Sequence, residues 1–183
     1  MKLNKNLYLV FTLICFVIHL ESCKKSAESN NIRIFYEDFE TDTIMSKWKF
    51  GGNYYRYNYS AKNIGGNYCL ELSGLAIRVP FNSNVTFYDG IAETNISNQV
   101  GKKALELSAY SSNAGNTSFL MLTHIRNGKI LKQSQTNLLS DWKKAIIMDT
   151  LDLLQTDIIK IKLVTESEMY VMIDNIELKE KIE

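Results

Sequence analysis

Residues 119–136 read FLMLTHIRNGKILKQSQT, and this stretch decides the fold. Two strand-like runs, Phe119–Arg126 and Ile130–Thr136, flank Asn127-Gly128. Asn-Gly suits the two-residue hairpin turn, which needs positive φ at both central positions. Outward from this hairpin the hydrophobic period stays at two. Leu105, Leu107 and Ala109 alternate with Glu106, Ser108 and Tyr110, and Ile159, Ile161 and Leu163 alternate with Ile158, Lys160, Lys162 and Val164. A two-residue beat places one set of side chains on each face of a strand. Further runs cover Arg33–Phe39, Tyr68–Leu72, Leu75–Val79, Val85–Tyr88, Lys144–Met148 and Met169–Leu178. Gly51-Gly52, Gly65-Gly66, Asn82-Ser83-Asn84 and Asn113–Asn116 separate them as turns. Many short strands without a long amphipathic helix make an all-β sandwich or barrel. Thr150–Thr156 is compatible with either a helical turn or strand.

With 45% hydrophobic and 22% charged residues, the chain is neither disordered nor polytopic in a membrane. Lys+Arg 21 against Asp+Glu 20 leaves no basic footprint for nucleic acid. Three cysteines exclude a disulfide-stapled scaffold. At the N-terminus, Lys2 and Lys5 precede an apolar run from Leu7 to Leu20, too short to span a bilayer but fit for a signal peptide. The run ends Leu20-Glu21-Ser22-Cys23, which resembles the lipobox of bacterial lipoproteins, with Glu21 where that motif has a small or aliphatic residue. The resemblance implies a signal peptide over 1–22, acylation of Cys23, and anchoring in the bilayer of a Gram-negative-type cell envelope, at the outer membrane. Residues 23–31 are then the lipidated cysteine and a polar tether, and 32–183 a single domain. An ordinary signal peptide and an uncleaved anchor are the competing readings. Removing 1–22 leaves 19 basic and 19 acidic side chains, with Cys69 the only thiol beside Cys23 and His124 the only histidine.

In Tyr170–Leu178, Val171 and Ile173 keep the two-residue beat, and Ile176 and Leu178 resume it shifted by one. The slip at Asp174-Asn175 predicts a β-bulge; a strand buried on both faces is the alternative.

Several segments in order resemble a known group. They are Glu37-Asp38-Phe39-Glu40 with Trp48 following, Asn67–Gly74, Lys103–Tyr110, Trp142-Lys143-Lys144, and the closing Tyr170–Leu178. Together they resemble the galactose-binding-like jelly rolls, which include calcium-containing carbohydrate-binding modules. The resemblance covers residues 32–179 and implies an all-β jelly-roll β-sandwich of two antiparallel sheets. It also implies a structural Ca²⁺ held by Glu40 and Asp174, with Asn67 or Asn63 and backbone carbonyls completing the six to eight oxygens this ion takes. The alternative is that Glu40 and Asp174 are solvated strand ends, or pair with Arg33 or a lysine. Trp48 and Trp142 are expected in the core.

Tyr54, Tyr55, Arg56, Tyr57 and Tyr59 form the best glycan platform in the sequence, with Tyr88 as a secondary candidate. Flat aromatic faces stack on sugar rings, and a tyrosine keeps its hydroxyl wet while covering apolar area. A sandwich strand with tyrosines half in the core is the equal alternative. Catalytic motifs are lacking: His124 has no nucleophile elbow nearby, Cys69 falls in a strand-like run, and no glycosidase signature surrounds Glu40/Asp42 or Glu166/Glu168. The expected function is therefore non-catalytic polysaccharide binding by a lipid-anchored domain. The alternatives are a structural or adhesive envelope protein contacting protein partners, and a glycan-active hydrolase or lyase.

Overall fold

Alternating side chains pair strands face to face, and the computed structural model shows how. It describes residues 31–41, 46–58, 68–78, 85–166 and 170–182. Among these, thirteen strands are arranged in antiparallel pairs: β1 (Ile32–Glu37), β2 (Lys49–Gly51), β3 (Asn53–Asn58), β4 (Tyr68–Ser73), β5 (Leu75–Arg78), β6 (Val85–Tyr88), β7 (Gly90–Ile96), β8 (Gly101–Ser112), β9 (Ser118–Arg126), β10 (Lys129–Asn137), β11 (Lys143–Leu153), β12 (Ile158–Thr165) and β13 (Val171–Glu180). One sheet has the order β11-β8-β13-β4-β3, with β1 also on β13, and the other has the order β10-β9-β12-β7-β2. β5 and β6 form a separate two-stranded ribbon.

The inward rows are the expected ones. Leu105, Leu107 and Ala109 of β8 meet Ile159, Ile161 and Leu163 of β12 in one core, all at most 1% exposed. Burying each large aliphatic side chain contributes about 1.5–3 kcal/mol, so this double row is a major part of the stability. The outward row of β8 is covered as well, because Lys144, Lys179 and Lys181 close over Glu106. They hold its carboxyl below the usual range against the opposing effect of burial.

Glycine decides where the chain changes sheets. A Cβ on Gly52 would lie 2.6 Å from the Ser73 carbonyl oxygen, and one on Gly90 would lie 2.5 Å from the same group. Gly52 also adopts φ +74°, which L side chains rarely take. Three backbones therefore cross within contact distance where β2 passes to β3, β4 to β5 and β6 to β7.

The ambiguous Thr150–Thr156 stretch continues β11 to Leu153 and then turns. Leu151 and Leu153 point into the core while Leu154 is exposed, so the strand beat holds to the turn. The slip in β13 is a bulge: its register against β8 shifts between Asp174 and Glu177, and Asn175 takes φ +49°. Asparagine tolerates this left-handed conformation better than most residues. Trp48 is core at 5% exposure. Trp142 is half-buried instead, in a turn where it and Asp141 both have positive φ.

Candidate functional site

The bulge sits at a seam. β13 pairs with β4 through Val171–Ile173 and with β1 from Ile176 to Glu180, so Asp174 and Asn175 fall where one neighbour ends and the other begins. The Glu37–Glu40 turn closes this gap. Glu37 accepts the Phe39 N–H at 2.9 Å and the Trp48 indole N–H at 3.3 Å. Trp48 in turn packs on Phe35 and Phe39, with ring centroids about 6 Å apart. Glu40 accepts the Tyr68 N–H at 3.0 Å, tying the turn to the start of β4. Tyr36 donates to Asn175 across the seam.

Asp174 is 1% exposed and accepts the Asn175 N–H at 2.7 Å. Burial pushes its carboxyl up to about 7, and the nearby charges of Glu40, Asp38 and Glu37 add to the effect. Burial likewise raises Glu37. Asp174 is thus no solvated strand end, and Arg33 pairs with Glu177 at 2.8 Å rather than with it. The structure brings Glu40 and Asp174 into one acidic seam. Among the described residues, no three Asp, Glu, His or Cys side chains converge as metal ligands. Asn67 and Asn63 lie outside the described residues, as do Cys23 and Tyr59.

The tyrosine run forms β3, an edge strand on β4 in which Tyr54, Tyr55, Arg56 and Tyr57 oppose Leu72, Glu71, Leu70 and Cys69. The side chains of Tyr55, Arg56, Tyr57 and Tyr88 fall outside the described ones. Tyr54 is described: it stacks on Phe50 with centroids 4.0 Å apart and planes at 11°. Phe50 belongs to β2 in the opposite sheet, so the pair closes the edge of the sandwich. With one ring face against Phe50, Tyr54 still keeps 44% of its surface exposed. Phe50 carries no sequence signal of its own, because its partnership depends on β2 and β3 lying in opposite sheets.

Two residues with nucleophilic or acid–base chemistry, His124 and Cys69, are buried in the fold. His124 lies 2.7 Å from Asp157, which Arg126 also binds, at 2.8 Å. The Arg126 guanidinium, with the Leu154 N–H and His124, holds the Asp157 carboxyl well below the usual range. Burial pushes the Cys69 thiol up to about 12. Both residues thus have structural positions, as the sequence suggests.

No family model matches the chain, and no curated protein matches it. Solved structures do. The xylan-binding family 22 module from Paenibacillus barcinonensis Xyn10C aligns over 86% of this chain and 99% of its own, with 16% identity and a TM-score of 0.54. A Clostridium thermocellum xylanase 10B structure, a family 22 module with its family 10 catalytic module and xylohexaose, aligns over 82% of this chain with 12% identity and a TM-score of 0.55. The enzymatically active domain of tailspike protein 4 from bacteriophage CBA120 aligns over 78%, with 14% identity and a TM-score of 0.57. The chain spans only 29% of that xylanase chain and 20% of the tailspike chain. At these identities the likeness is one of fold, and the chain has the jelly-roll β-sandwich fold of carbohydrate-binding modules.

Proposed function

We propose that the protein is an extracytoplasmic lipoprotein, anchored in the outer membrane of a Gram-negative-type envelope through acylated Cys23, whose jelly roll binds polysaccharide without cleaving it. The observation that carries the binding reading is Tyr54, an exposed aromatic ring fixed in orientation by Phe50. A ring held this way presents its free face to a sugar at little entropic cost. Tyr55, Arg56, Tyr57, Tyr59 and Tyr88 are further contacts in this reading. A module of like fold is described as xylan-binding, which supports polysaccharide as the ligand class. The non-catalytic reading is supported by His124 and Cys69, the mature chain's histidine and thiol, being held in structural positions. Migration of the domain through gels containing soluble polysaccharides tests this reading. Retardation by at least one polysaccharide is expected, and none by any of a broad panel would contradict it.

The same reading includes a structural Ca²⁺ at the seam. Glu40 and Asp174 would hold it, with Asn67 and backbone carbonyls. A carboxyl raised by burial and by its acidic neighbours fits a hard divalent cation, which would neutralise the seam and tie β1 to β13. Calcium at a hundredfold excess over its dissociation constant then raises Tm by about 5–10 °C, and EDTA reverses the shift. A Tm indifferent to both would remove calcium from the account.

A further inference from the structure

Six exposed aliphatic side chains gather at one end of the sandwich. β11 ends at Leu153 opposite Gly101, where β8 begins. β13 ends at Glu180 opposite Ile32, where β1 begins. β12 begins at Ile158 opposite Ile125, beside the Asn127-Gly128 turn. Arg126 of β9 donates to the Asp152 carbonyl of β11 at 3.0 Å, joining the two sheets at this end. Ile32, Val100, Ile130, Leu131, Leu154 and Ile182 all sit there, each 48–62% exposed. Aliphatic tips at half exposure on several adjacent turns mark a contact surface rather than scattered surface residues.

The same end is cationic. Arg33, Lys102, Lys103, Arg126, Lys129 and Lys181 face three described carboxylates, Asp152, Asp157 and Glu180. Glu180 and Asp157 are consumed by Lys103 and Arg126. Arg33 and Lys181 reach back to Glu177 and Glu106 on the sheet face. Lys102 and Lys129 carry no ion pair among the described residues. Lys102, Lys181 and Glu180 line a groove at this end together with Ala104, Thr150 and Ile182.

We propose that this end docks on an anionic lipid surface, with the aliphatic tips in the headgroup layer and Lys102 and Lys129 on lipid phosphates. The proposal rests on the lipoprotein reading. Eight residues, 24–31, separate the acylated cysteine from β1, and the nine Cα steps from Cys23 to Ile32 span at most about 30 Å. The anchor therefore leashes the bilayer to the end of the domain where β1 starts. A second copy is disfavoured as the occupant, since like charges would meet across a self-interface. Aliphatic insertion and lysine attraction add in the usual manner of peripheral membrane contacts. Tyr54 lies near the opposite end, beside the start of β13, so docking would aim the aromatic platform away from the lipid.

The test uses residues 24–183 without any acyl group. Every core residue lies between Ile34 and Leu178, so this piece holds the whole core. It is sedimented with vesicles of phosphatidylcholine alone or mixed with phosphatidylglycerol. Binding to the mixed vesicles only is expected, weakened about fivefold for each lysine removed in Lys102→Gln and Lys129→Gln. Leu131→Ser with Leu154→Ser weakens it likewise, and an unchanged Tm in each variant shows that folding is intact. Absence of binding, equal binding by the variants, or a dimer in sedimentation velocity that these substitutions dissociate would overturn the proposal. Cys23-dependent incorporation of labelled palmitate into the full chain tests the lipoprotein reading separately, so the two failures are distinguishable.

Discussion

Gly90 has no space for even one more carbon. Its Cβ would meet the Ser73 carbonyl at 2.5 Å and the Thr165 methyl at 2.8 Å, so Gly90→Ala forces two backbones apart. Overpacking of this kind costs about 2 kcal/mol, expected as a Tm lowered by about 4–8 °C. Asp157 acts through charge. Its carboxyl is depressed mainly by Arg126, so its contribution is present above the ordinary carboxylate pKa and is lost as pH falls. Thermal melts should show the wild type losing stability below about pH 5. Asp157→Asn should be less stable at neutral pH and lose less on acidification; a parallel pH profile would discount the ion pair. These residues differ in how far the sequence reveals them. The bulge at Asp174-Asn175 is legible because it shifts a hydrophobic beat. Asp157 as the partner of His124 is not, because 33 residues separate them and only strand register brings them together. Phe50 escapes notice for the same reason.

Strands with a strong alternation are the ones the sequence reveals. β8, β9 and β12 place Leu105 and Leu107, Leu120 and Leu122, and Ile159, Ile161 and Leu163 two residues apart, and these are all in the core. β7 has Ala92 and Thr94 on its inward side, too small and too polar to stand out, and β2 is three residues long. The exposed edge of β11 shows how neighbouring charges protect a strand. Asp149 binds the Thr150 N–H, Lys132 and Ser134, while Arg126 takes the Asp152 carbonyl. Edge groups satisfied this way offer no template for another strand. Truncation at the centre tests the element packing: Leu163→Ala should cost about 2–5 kcal/mol in denaturant unfolding, since a fully buried leucine leaves a cavity. A cost below about 1 kcal/mol would mean that the two sheets close over the gap.

The molecule as a whole has two unlike ends. One gathers the start of β1, the end of β13, exposed aliphatic tips and two lysines without an ion pair among the described residues. The other carries β3 and the Tyr54–Phe50 pair. Fold class follows from the period-two pattern and the turn residues. Which end faces a ligand does not, because it depends on strand order and on the crossings at Gly52 and Gly90. In the reading advanced above, the tethered end meets lipid and the aromatic end meets glycan. Glycan binding at Tyr54 is the central claim, and NMR titration of the domain with an oligosaccharide panel tests it most directly. Shift changes from at least one oligosaccharide, centred on β2 and β3 and weakened at least tenfold by Tyr54→Ala at unchanged Tm, are predicted (about 1.4 kcal/mol). No response to any sugar, or a response that survives Tyr54→Ala undiminished, would contradict it.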